Sequence, residues 1–336
     1  MATIKDVARI AGVSVASVSR VLNNGPKVSQ KTIEKVTKVM AELNYSPNAN
    51  ARALVTQKST TLGVVIPDLV DPFFASLAQG VEQVARQRNM QLLLSTGLVS
   101  AETEMQAINL LIERRCDVMV VHSKKLSDET LIELSKKVKG LVLIDRYIEE
   151  IAHRCVWLDN FEGGKIAARH LLALNHQQLA CITSTHQIDD PQLRVKGFKQ
   201  ELSKAQLTIN SELIEIGEPT LQGGELAAQK LLASGASFSA IFVYNDAMAI
   251  GAISTLEDNG YKVPADISIL GFDDVLLSRY SRPKLSTLNY PIEEMAQQAA
   301  NIALELLAEK NATLDKKSYK YIPRLVKRES TSFYNK

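Results

Sequence analysis

The sequence predicts an all-α helix-turn-helix headpiece joined to an α/β body of two doubly wound parallel-sheet lobes. Three observations lead there. Short helical patterns run back to back up to about residue 45, apolar strand runs alternate with amphipathic helices from Thr61 onward, and charge divides unevenly between the two parts. Residues 1–60 hold nine basic and three acidic side chains, a net of +6 in a chain whose total is +2, which leaves −4 for the remainder. A basic head on a mildly acidic body is the charge footprint of a nucleic-acid module attached to something else.

The first helical pattern, 4–11, places Ile4, Val7, Ala8 and Ala11 on one face, with Thr3 as its cap. Gly12-Val13-Ser14 interrupts it: glycine suits a left-handed helix end, and Ser14 caps the next helix. That second helix, 15–22, turns Val18, Val21 and Leu22 inward, and Ala8, Gly12 and Val18 fall where two helices must cross closely. Pro26 ends that segment. Ser29 opens a third helix to about Leu43, buried through Ile33, Val36, Val39, Met40 and Leu43. In such a module the N-terminal part of the second helix lies over base edges in the major groove, which puts Val15, Ala16 and Arg20 at the bases. Arginine can donate two bonds to guanine, and small apolar side chains touch the thymine methyl. Thr3, Ser14, Ser17, Ser19, Asn23, Lys27, Ser29, Thr32 and Tyr45 are better placed for the phosphate backbone, which sets register without reading sequence.

Ser46-Pro47 is a helix-start pattern, and 48–54 allows about two turns. A helix that short does not hold in water alone, so a hinge that is disordered in free protein and folds on DNA is expected. Ala49, Ala51 and Ala53 are small enough for two such helices to pack side by side, and Leu54 is left as an apolar side chain that either packs on the body or meets DNA.

TIKDVARIAGVSVASVSRVLNN, followed by YSPNANARAL, resembles the headpiece and hinge of the lactose/galactose repressor family of bacterial transcriptional regulators, and the similarity continues to near residue 330. The resemblance implies that Leu54 wedges into the minor groove and kinks the duplex, with Asn50 and Arg52 near the groove. It also implies a homodimer on a pseudo-palindromic operator. The ten residues after Val326 carry no leucine heptads, so the family's tetramerising tail is not expected and a dimer is favoured over a tetramer.

In the body, strands are expected at 62–68, 91–96, 117–123 and 141–146, then 179–185, 213–217, 240–246 and 267–274, with helices between them. Continuous apolar strands between helices mean parallel sheets covered on both faces. The resemblance implies a periplasmic-binding-protein-like pair of lobes, 61–160 with 291–320 and 161–290 with 321–336, after a head at 1–45 and a hinge at 46–60.

Ligands of such sheets bind outside the carboxyl ends of the strands. Asp68 with Phe73 and Phe74, Asp145-Arg146, Asn245-Asp246 and Asp273-Asp274 collect there, and Arg194 stands near a helix start. Carboxylates, an amide, an arginine and aromatic faces together suit a sugar. Helix capping is the alternative for Asn245, Asp246, Asp273 and Asp274. By resemblance, Arg194, Asn245 and Asp273 match effector-contacting positions and Phe73 and Phe74 an aromatic wall. Gly217-Glu218-Pro219 departs from the family, which often has an aromatic residue where Pro219 stands. RCDVMVVHSK, IDRYIE and SRYSRPKLSTLNYPIEEMAQQAA are most like the galactose-operon repressor subgroup, so galactose is the leading effector and release from DNA its expected action. Another hexose, a nucleoside or a purine, acting even as co-repressor, is the alternative.

An enzyme is not expected. No phosphate-binding glycine loop, nucleophile elbow or zinc-binding histidine pair occurs, and the five histidines lack metal spacing. Asp273 and Asp274, as neighbours on an extended strand, would point to opposite faces rather than flank one bond. No cofactor or metal is expected. A secreted sugar carrier would share the body but needs a signal peptide, and the N-terminus has no apolar core for one. With no membrane-length apolar run and only three scattered cysteines (Cys116, Cys155 and Cys181), a cytoplasmic protein without disulfides or membrane contact is expected.

Overall fold

In the computed structural model the described residues are 2–22, 25–26, 28–45, 61–308 and 318–335, so the expected hinge at 46–60 lies outside them. The chain divides into two units, Met1–Thr60 and Thr61–Lys336.

In the first unit the caps set the helix ends. Helix α1 (Ile4–Ala11) begins with a reciprocal capping box: Asp6 N–H donates to Thr3 Oγ1 at 3.3 Å and Thr3 N–H to Asp6 Oδ2 at 3.0 Å. It ends at Gly12, whose φ of 58° is the left-handed geometry that glycine adopts without strain. Ser14 then accepts from Ser17 N–H to start α2 (Val15–Leu22), and Ser29 accepts from Thr32 N–H to start α3 (Gln30–Glu42). Val7, Ala8, Ala11, Val18, Val36 and Val39 make the buried core. Ile33, expected inside, is exposed; the helical period carries it one step past the face that Val36 and Val39 bury.

Among the described residues the second unit holds two six-stranded sheets. The first contains β1 (Thr61–Ile66), β2 (Gln91–Thr96), β3 (Val118–Val121), β4 (Gly140–Ile144) and β5 (Cys155–Leu158); α4 (Pro72–Gln87), α5 (Ala101–Glu113) and α6 (Asp128–Lys137) connect its strands. The second contains β6 (Leu179–Ser184), β7 (Ile214–Gly217), β8 (Ala240–Val243), β9 (Ser268–Asp273) and β10 (Ser286–Asn289). Its helices are α7 (Asn160–Ala173), α8 (Asp189–Lys204), α9 (Leu221–Ala233), α10 (Asp246–Asp258) and the short α11 (Leu276–Tyr280). Helix α12 (Ile292–Ala308) then returns to pack on α4, β3 and β4 of the first lobe. The last strands divide: β11 (Tyr319–Tyr321) pairs in parallel with β5, and β12 (Arg324–Val326) antiparallel with β10. Strand orders are 11-5-4-3-1-2 and 12-10-9-8-6-7.

Two expectations change. Tyr321, assigned by sequence to the second lobe, belongs to the first sheet, because β11 continues its pairing with β5 through Leu158 before the chain crosses at Ile322-Pro323. Strands β5 and β10 have no counterpart in the sequence pattern, since CVWL and STLN are short and mixed in polarity and are completed by pairing rather than by local pattern. All pairings except β10 with β12 are parallel, so the polar strand ends of each sheet collect on one edge. No helix among the described residues is long and apolar enough to cross a membrane.

Helices α7 and α8 cross at glycines. A Cβ at Gly164 would collide with the carbonyl oxygen of Arg194, and one at Gly197 with that of Phe161. The backbone that carries Arg194 is thus seated directly on α7. Replacing Gly164 by Ala should force the helices apart and destabilise the protein by about 1–3 kcal/mol. Urea unfolding checks this; an unchanged midpoint would show that the crossing is not tight.

Candidate functional site

Where the carboxyl ends of the two sheets face each other, they enclose a cavity of about 630 Å³. That volume lies within the roughly 300–1,000 Å³ typical of small-molecule sites. Phe73, Phe74, Asp68, Asp145, Arg194, Asn245 and Asp273 all line it. Phe73 is buried against Tyr290 in an edge-to-face contact of 4.8 Å, and Phe74 stands 5.2 Å from the His122 ring.

Arg194 is held from several sides. Its guanidinium lies 3.6 Å over the Phe272 ring, Nε donates to Asn160 Oδ1 at 2.8 Å and Nη1 to the Tyr244 carbonyl at 2.6 Å. The Asp273 carboxylate is 3.8 Å away. Burial pushes the Asp273 carboxyl well above the usual carboxylate range, and Arg194 offsets only part of that.

Across the cavity floor Lys124 bridges the lobes. Its Nζ is 2.8 Å from Asp145 Oδ2 in the first lobe and 2.8 Å from Asp190 Oδ2 in the second. Burial alone would raise the Asp145 carboxyl, but Lys124 and His122 together hold it below the ordinary range, and the Tyr290 hydroxyl also donates to it. Asp190 moves the other way: burial raises it, although Lys124 attracts it and Asn160 donates to it at 3.3 Å. With fewer donors, Asp190 is the carboxyl of this pair that takes up a proton first.

The other strand-end residues divide between cavity and scaffold. Asn245 caps α10, its Oδ1 accepting from Met248 N–H at 2.9 Å, while its Nδ2 donates to the Pro219 carbonyl at 3.2 Å. It therefore both caps and lines the cavity, and Pro219 lines it beside Asn245. Asp68 spends Oδ1 on the N–H groups of Val70 and Asp71. Asp246 is not a cap; it is wholly buried and accepts from Thr287 Oγ1 at 2.5 Å and Val275 N–H at 3.0 Å. Asp273 and Asp274 do diverge, but not as neighbours on an extended strand. Both have positive φ, 111° and 57°, which turns Asp273 to the cavity and Asp274 to Arg328 and Asn289.

Arg146 is the correction. Asp145, at φ 59°, turns the chain so that Arg146 leaves the cavity; its guanidinium binds Asp128 at 2.6 Å and the Ser123 carbonyl at 3.1 Å. Sequence reasoning missed Lys124, Asp190, Asn160, Tyr244 and Tyr290. Lys124 carried the same signal as the others, a polar residue just past a strand end, and Asp190 stands one helical turn before Arg194.

In the head, Val15, Ala16 and Arg20 share the exposed face of α2, with Ser14 and Ser17 at its N-terminal end. The hydroxyls of Ser14 and Ser17 are 2.9 Å apart, as are those of Ser29 and Thr32. Thr3 is exposed, and Ser19 and Tyr45 are partly buried. Asn23, Lys27, Asn50, Arg52 and Leu54 lie outside the described residues.

The signature of "Bacterial regulatory proteins, lacI family" matches residues 3–48, and that of a "Periplasmic binding protein-like domain" matches 168–331. Over 332 residues the chain is 46% identical to the HTH-type transcriptional regulator GalR of Salmonella typhimurium, covering 99% of this chain and 96% of that protein. GalR of Escherichia coli K12 gives the same identity and coverage. The chain belongs to the lacI family. The lac repressor dimer bound to operator and the anti-inducer ONPF aligns with a TM-score of 0.87 at 28% identity, covering 98% of this chain and 99% of that one. As a lacI-family member the protein is a transcriptional repressor with a helix-turn-helix head and a binding-protein-like body.

Burial raises the Asp246 carboxyl to about 8, against the hydrogen bonds from Thr287 and Val275. The folded chain therefore keeps a proton that the unfolded chain, at an ordinary carboxylate value, releases. Stability is gained as pH falls below about 8 and lost as it rises through that value. Asp246→Asn should flatten the decline in urea midpoint between pH 6 and 9 relative to wild type; parallel declines would refute the assignment.

Proposed function

We propose that this lacI-family chain represses transcription as a homodimer on a pseudo-palindromic operator and is released when galactose binds between its lobes. The observation that carries the effector half is the convergence of Arg194, Asn245 and Asp273 on one cavity beneath Phe73 and Phe74. Hydroxyls on a sugar's edge can accept from Arg194 and Asn245 and donate to Asp273, while its C–H face lies on the aromatic wall. Near full-length similarity to GalR favours galactose among hexoses. Pro219 presents a saturated pyrrolidine ring to the cavity instead of an aromatic one, so aromatic contact comes from the Phe73 and Phe74 side.

For the DNA half, α2 enters the major groove with Val15, Ala16 and Arg20 at base edges, and Leu54 of the hinge wedges the minor groove. Thr3, Ser14, Ser17, Ser19, Ser29, Thr32 and Tyr45, with Asn23, Lys27, Asn50 and Arg52, serve the phosphates. Asp68 and Asp145 complete the effector cleft. Closure of the lobes around sugar disfavours the DNA-bound form, so the two ligands compete through conformation.

The test is a mobility-shift titration on a duplex selected by this protein from a random pool. Galactose should release wild type. Asp273→Asn should still shift the duplex but need far more galactose. Arg20→Ala should lose about 1–3 kcal/mol of binding and relax preference at one base pair per half-site. No shift at all would refute the repressor reading, and tighter binding with galactose would make it a co-repressor.

A further inference from the structure

A loop of the first lobe reaches across the cleft through two lysines to which the effector reading gives no role. Residues 123–126 follow β3, and the buried Glu104 carboxylate pins them: it accepts from Ser123 Oγ at 2.5 Å and from the N–H groups of Lys124, Lys125 and Leu126, each at 3.1 Å. Both lysines of this fixed loop extend to the second lobe. Lys125 Nζ donates to the Gln187 carbonyl at 2.9 Å, and Lys124 Nζ to Asp190. Lys124 also donates to the Asp145 carbonyl at 2.5 Å, which ties it back to its own lobe. The segment it grips, 187–190, leads into α8, and Arg194 follows Asp190 by one helical turn.

The bridge also partitions the cleft. On one side lies the cavity with Arg194 and Asn245. On the other lies a recess of about 580 Å³ lined by Trp157, Asp159 and Phe161, and Lys124, Asp145 and Asp190 border both. We propose that the 123–126 loop is an interlobe clamp, with Lys124 the positioning residue that fixes the distance from Asp145 on one lobe to Arg194 on the other. Without the ammonium, the buried carboxyls of Asp145 and Asp190, on opposite lobes, lose the one cation that pairs with both; keeping both ionised is then unfavourable in a low-dielectric site, and the charge-assisted link between the lobes is lost. The consequence for effector affinity rests on the cleft being the sugar site; the clamp itself does not.

Trp157 is the chain's single tryptophan and borders the recess, so its fluorescence reports the clamp with no ligand present. Acrylamide quenching of the full-length protein should rise in Lys124→Met and return toward wild type in Lys124→Met with Asp190→Asn, which replaces the unpaired carboxyl by an amide able to donate to Asp145. If Lys124→Met does not fold, Lys124→Gln takes its place in the same comparison. Galactose affinity should fall roughly tenfold in the single variant and recover in the double, within the range measured for coupled neighbours. Quenching equal to wild type in the single variant, or equally raised in single and double, overturns the clamp. A wild type that binds no galactose while the quenching pattern holds would remove the effector reading and leave the clamp standing.

Discussion

Five ionisable side chains, Lys124, Asp145, Asp190, Arg194 and Asp273, are largely withdrawn from solvent where the carboxyl edges of the two sheets face each other. Withdrawing each from water costs several kcal/mol unless opposite charges and donors surround it. An arrangement of the lobes that lets Lys124 pair with both Asp145 and Asp190 is therefore favoured over one that leaves them unpaired. Lys124 satisfies one carboxylate from each lobe, and Arg194 lies between the Asp273 carboxylate and the Phe272 ring. Apolar packing also runs between the lobes, where Phe73 and Phe272 both meet the Tyr290 ring, and the Lys124 pairs add direction to that contact. The charge pattern also gives a polar ligand something to compete for.

The backbone around the cleft is shaped to hold those charges still. Glycines at the α7–α8 crossing let the carbonyl of Arg194 rest on α7, so the guanidinium starts from a fixed base. Asp145, Asp273 and Asp274 all occupy the positive-φ region, which non-glycine residues adopt at a cost. That strain aims Asp145 and Asp273 at the cavity and sends Arg146 and Asp274 away from it. The side chains of the proposed effector site are thus aimed by the backbone of their own lobe.

Much of the architecture was legible because it is periodic. The three head helices follow from caps at Thr3, Ser14 and Ser29 and from the break at Gly12, and most body strands from uninterrupted apolar runs. What escaped was what tertiary contact creates. Strands β5 and β10 gain their identity from neighbours, and the crossing after Tyr321 depends on how far β11 pairs with β5. Arg194, Asn245 and Asp273 were legible as polar residues at strand ends and a helix start. Lys124 carried the strand-end signal too, but its partnership with Asp190 was not legible, since it spans 66 positions and exists only when the lobes meet. Arg146 misled because adjacency to Asp145 in sequence says nothing about a backbone that turns between them.

If sugar and operator stabilise opposed states of one chain, their effects on each other must be equal. Calorimetric titration of galactose into free protein and into the saturated operator complex measures one factor, and operator affinity with and without saturating galactose measures the other. Opposed conformations require galactose to bind the complex more weakly, by the same factor by which it weakens operator binding. Equal galactose affinity for free and DNA-bound protein would contradict the coupling.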